Sequence, residues 1–131
     1  MATIDDPRLS IATDPLLNQA TVTAKCEVHF TEFEVRSMQL LGLRYTLECR
    51  VLNKDLQWQD TVLQYDTVEL PRDTSSIQTI EPVTFETVAV MSNLHEHVVT
   101  DDQFIAEFTL TDQETHATQV ERAPILTVAL E

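Results

Sequence analysis

Two stretches of this chain alternate apolar and polar residues over a length that only a β-strand accommodates. In residues 43–51, Leu43, Tyr45, Leu47, Cys49 and Val51 alternate with Arg44, Thr46, Glu48 and Arg50. Residues 20–30 repeat the pattern, with Val22, Ala24, Cys26 and Val28 against Thr21, Thr23, Lys25, Glu27 and His29. Successive side chains of a strand point to opposite faces, so each stretch has one dry face and one wet one. A dry face needs a second apolar layer over it. The rest of the chain reads as that layer.

Residues 9–12 allow one short strand, which Pro7 and Pro15 confine to a sheet edge. Residues 33–41 fit a bulged strand or a single helical turn; a strand is the expectation. A strand over 61–70 is stopped by Pro71, and another over 83–91 opens after Pro82. Phe104, Ala106, Phe108 and Leu110 alternate with Ile105, Glu107, Thr109 and Thr111. A turn over 112–116 leads to a return arm that Pro124 breaks, with Leu126, Val128 and Leu130 completing the core face. The expected fold is an all-β antiparallel sandwich of seven or eight strands, one domain over residues 1–131. Its inward set is Val22, Ala24, Cys26, Val28, Leu43, Tyr45, Leu47, Cys49, Val51, Phe104, Phe108, Leu126 and Val128.

Gly42 is the single glycine. It supplies a permissive backbone position before the 43–51 strand, as a bulge or tight bend needs. Tight two-residue hairpins usually want glycine, so most connections should be longer loops or crossings between sheets, as in a Greek key. The long early strand, central aromatic-bearing strand and closing hairpin resemble immunoglobulin-like sandwiches in general layout. The likeness is one of layout only: the cysteines do not fall on the expected pair of strands, and Trp58 lies in a loop.

The formal charge of −14 argues against nucleic acid and anionic membranes as partners, since both are recognised through clustered Lys and Arg. No apolar run approaches the roughly 18 residues of a membrane helix. The N-terminus has neither a basic region nor an apolar one of the kind that marks export, so a cytoplasmic location is the expectation, an excised or mature domain being the alternative. Cys26 and Cys49 sit at inward positions and read as buried free thiols.

Candidate chemistry is sparse. His95 and His97 would share a face in an extended segment, near Asp101 and Asp102, but lack a third ligand at fixed spacing, so no metal site is expected. Asp55, Asp60, Asp66, Glu69 and Asp73 match no calcium loop and read as a solvated negative face. With one glycine there is no nucleophile elbow and no phosphate-cradling loop. No enzyme activity and no cofactor are expected. Two functions remain. One is a protein-interaction or assembly module with an acidic surface, engaging a partner or a second copy by charge matching and strand addition. The other is a sugar- or small-ligand-binding module built on Trp58, with Tyr65 and the amides of Gln57, Gln59 and Gln64. The interaction reading places its interface on residues 61–70, whose Val62, Leu63, Tyr65, Val68 and Leu70 spread over both faces.

Overall fold

A computed structural model describes residues 1–53, 60–90 and 102–128. Among these the chain is mostly β, with one helix, and every strand pairing is antiparallel. Strands β1 (Thr3–Asp14), β2 (Gln19–His29) and β6 (Ile80–Val90) form one sheet in the order β1-β2-β6. The second sheet contains β3 (Tyr45–Asn53), β4 (Asp60–Gln64), β5 (Val68–Leu70), β7 (Asp102–Asp112), β8 (Thr118–Arg122) and β9 (Leu126–Val128). Here β4 and β5 pair with opposite ends of β3, and β8 and β9 with opposite ends of β7. The six strands therefore fill four columns: β4 with β5, then β3, then β7, then β8 with β9.

The dry faces of the two sheets share one core. Val22, Val28, Val83 and Phe85 come from the first sheet, and Leu47, Cys49, Phe104 and Phe108 from the second. Phe85 lies 6.3 Å from Phe108 between ring centroids, and Phe30, just past β2, lies 5.3 Å from Tyr45. Of the residues expected inward, Leu43 and Leu126 are only half-buried; every other one whose side chain is described is buried. Arg44 is half-buried and Glu48 exposed, so the register of β3 is the expected one.

Three expectations need correction. Residues 33–41 are not a strand but most of helix α1 (Glu32–Leu41). Thr31 caps it: its Oγ1 accepts from the Glu34 N–H at 3.1 Å, and the Glu34 carboxylate accepts from the Thr31 N–H at 2.8 Å. This reciprocal pair satisfies two otherwise orphaned donors and starts the helix. Gly42 ends it in the left-handed conformation, φ 73°, so the glycine serves a helix end rather than a bulge. Second, residues 61–70 are two strands, because the chain leaves the ladder after Gln64 and re-enters at Val68. Third, the first strand runs over Thr3–Asp14, longer than the 9–12 piece expected. Among the described residues it is an edge strand, in keeping with Pro7, and its register shifts between Asp5 and Arg8, with Asp6 at φ 51°.

Two tight connections manage without glycine. Asn18 (φ 53°) closes the β1–β2 turn and His116 (φ 63°) the β7–β8 turn. In the latter, Asp112 Oδ1 accepts from the N–H groups of Glu114 and Thr115. Among the described residues no helix is long and apolar enough to cross a membrane.

Candidate functional site

The strand β6 ends its sheet with a usable row of backbone groups. The Phe30 N–H donates to the Thr79 carbonyl at 2.7 Å, in line with the β2–β6 register of His29 with Ile80. Bonded and non-bonded pairs alternate along an antiparallel ladder. Glu81, Val83, Phe85, Thr87 and Ala89 therefore bond to β2, while Ile80, Pro82, Thr84, Glu86, Val88 and Val90 turn their backbone groups the other way. Pro82 falls in the outward set, where a missing N–H removes no ladder bond. Among the described residues, no strand pairs with β6 on that open side.

Alongside this edge runs a groove of about 340 Å³, bounded across from β6 by the outer column of the second sheet. Leu63, Tyr65, Val68 and Phe85 give it apolar lining; Gln64, Asp66, Arg72 and Glu86 give it polar lining. Tyr65 sits where the column breaks. Its N–H donates to the Cys49 carbonyl at 3.1 Å, and its hydroxyl crosses to the other sheet to donate to the Val22 carbonyl at 2.7 Å. The ring lies 5.3 Å from Phe85. Burial, then the nearby Cys49 and Glu86, pushes its phenol well up, so it stays protonated and donating. Beside the groove, the Glu81 carboxylate accepts from the backbone N–H of Arg72 at 3.3 Å, while the Arg72 side chain is exposed. Burial raises the Glu81 pKa, and that N–H and the Arg72 charge oppose the rise. Glu86 accepts from Thr23 Oγ1 at 3.2 Å on the outer face.

Two buried carboxylates lie elsewhere. Glu34 accepts from the Tyr45 hydroxyl at 2.6 Å, the Ala2 N–H at 2.7 Å and the Thr31 N–H. Burial works to raise its pKa, but the bonds from Thr31 and Tyr45, with the charge of the N-terminus, prevail and hold it below the usual carboxylate range. Glu107, on the outer face of the second sheet, is held by Arg50 from β3 and Arg122 from β8. Its Oε1 accepts from Arg50 Nε at 2.8 Å, and its Oε2 accepts from Arg122 Nε at 2.9 Å and Nη2 at 2.8 Å. Again burial raises its pKa and the guanidinium hydrogen bonds more than reverse the effect. Both groups are fully engaged, which suits structure rather than acid–base chemistry.

Cys26 and Cys49 are free and buried. Burial, with Glu27 adding to it, pushes the Cys26 thiol up to about 12, and burial with Cys26 nearby raises Cys49 further, so neither is a thiolate nucleophile. Of the sequence-derived ligand set, Tyr65 and Gln64 are placed: both line the groove, Tyr65 with its hydroxyl already committed. Trp58, Gln57 and Gln59 lie outside the described residues, as do His95 and His97. Among the described residues no group of three or more His, Cys, Asp or Glu is arranged to hold a metal ion. Sequence reasoning missed the β6 edge; Pro82 was its one local sign.

No protein family matches this sequence, and no curated protein matches it. Several solved structures are loosely similar in backbone. A Bordetella pertussis protein named ApaA shares 7% identity with a TM-score of 0.38, over 98% of this chain and 91% of its own. A second structural-genomics target shares 11% identity with a TM-score of 0.35, over 98% of this chain and 85% of its own. At such scores neither likeness informs function.

Proposed function

We propose that this protein is a non-enzymatic interaction module with an immunoglobulin-like sandwich layout, and that it engages a partner by strand addition at the open edge of β6. Three columns against four, with a hairpin opening the first sheet and another closing the second, support the layout. The observation that carries the function is the row of outward backbone groups at Thr84, Glu86, Val88 and Val90 beside a groove. An extended segment adding there satisfies those groups, and every second side chain of it enters the groove. The interface expected on residues 61–70 thereby becomes the far wall of the same groove. The acidic surface suits steering of the partner and disfavours nucleic acid and anionic membranes.

Val88→Pro tests the reading, because residue 88 turns its N–H away from β2 and proline there blocks an incoming strand without breaking the sheet. Chain recovered from its own cells should carry a partner that the folded Val88→Pro variant has lost. Equal recovery by both chains would dismiss the edge as the contact. The ligand-binding reading is second, favoured by the position of Tyr65 in the groove. Its test is fluorescence of the single tryptophan, Trp58, during titration with simple sugars.

A further inference from the structure

Resting on the strand-addition reading, we infer that the segment the β6 edge accepts is a basic one, an extended stretch in which Lys or Arg alternates with apolar residues. Two independent features set this chemistry. First, direction along the strand: Pro82 has no N–H to offer, so pairing begins at Thr84 and continues through Val90. Within that stretch Glu86 is the single charge, exposed on the outer face, and its cross-strand neighbour would be a residue of the incoming segment. An opposite charge in that place is favourable and a like charge directly opposite is not. The cation of β2 on that face, Lys25, pairs with Thr84 one column further in, leaving the open flank of Glu86 to the partner.

Second, the groove: Leu63, Val68 and Phe85 receive apolar side chains, while Asp66 and Glu86 outnumber Arg72 among the charges of its lining. A segment whose inward positions are apolar and whose outward positions are cationic meets both halves of this surface. A second copy of the chain does not. Pairing β6 with its own image brings two Glu86 carboxylates into one short ladder, between molecules that each carry −14.

The test uses the whole chain and three synthetic peptides of about eight residues, a usual strand length. They alternate valine with lysine, with threonine or with glutamate. Amide hydrogen exchange at Thr84, Glu86 and Val88 is followed on adding each one. The lysine peptide should slow these amides about tenfold or more and bind at least about tenfold more tightly than the threonine peptide, the glutamate peptide being weakest. Glu86→Lys should abolish the advantage of lysine while leaving the protein folded, since the side chain is exposed. Equal protection by the lysine and threonine peptides would overturn the basic preference and leave the edge intact as a docking strand. Lysine-peptide binding without protection of these amides would overturn the inference in favour of unspecific attraction to an acidic surface. No protection by any peptide would remove the docking edge itself, and with it the inference. Slow exchange at those amides in free protein that scatters light as a dimer would replace the peptide with a second copy.

Discussion

Glu34 shows how a single carboxylate can organise a corner of a fold. It caps α1 through the Thr31 N–H, takes the Tyr45 hydroxyl at the start of β3 and the Ala2 N–H beside β1. Glu34→Ala leaves buried donors without an acceptor, and urea unfolding should show a loss of about 2–4 kcal/mol. Thr31→Ala removes only the cap and should cost about 1 kcal/mol. Glu107 gives a pH signature. Its folded pKa is depressed, so its stabilising contribution is complete above the unfolded carboxylate value of about 4.3 and disappears as pH falls through the lower folded value. Acid titration of stability should therefore be shallower for Glu107→Gln than for the native chain, although that variant starts less stable at neutral pH. Parallel acid profiles would show that the triad contributes no pH-dependent stability.

At the scale of elements, the helix tests backbone conformation in isolation. Nothing lies within 4 Å of the position a Cβ would take on Gly42, so Gly42→Ala meets no neighbour and pays only for φ 73°. A loss of about 1–2 kcal/mol by denaturant unfolding is expected, smaller for Gly42→Asn. The strands were legible in the sequence because one wet face and one dry face impose a period of two. The helix was not, since its inward side offers little beyond Val35 and Met38 while Phe33, Leu40 and Leu41 are exposed and blur the period. The Thr31–Glu34 pair and Gly42 were the available signs. The interruption after Gln64 was invisible for a different reason: the contact made there, the Tyr65 hydroxyl on the opposite sheet, leaves no mark on the alternation. The candidate site was hidden likewise, because alternation in β6 tells which face is dry but not which strand lies beside it.

For the molecule as a whole, 22 acidic against 8 basic residues make self-repulsion the dominant long-range term. Sodium chloride to about 0.1 M, with a screening length near 10 Å, should raise the melting temperature. A fall would mean that pairs such as Arg8 with Asp6 outweigh the repulsion. Thiol titration of the unfolded chain without reductant should find both cysteines. The Arg50–Glu107–Arg122 triad also bears on how the chain avoids misassembly. A slip of one residue between β3 and β7 turns core residues outward, so hydrophobicity forbids it. A slip of two keeps every apolar side chain inward and costs hydrophobicity little. It would, however, set Arg50 opposite Ile105 or Thr109 in place of Glu107, stranding the Arg50 guanidinium and leaving Glu107 to Arg122 alone. The ionic triad is thus a proofreading device, penalising slips that an alternating pattern is blind to.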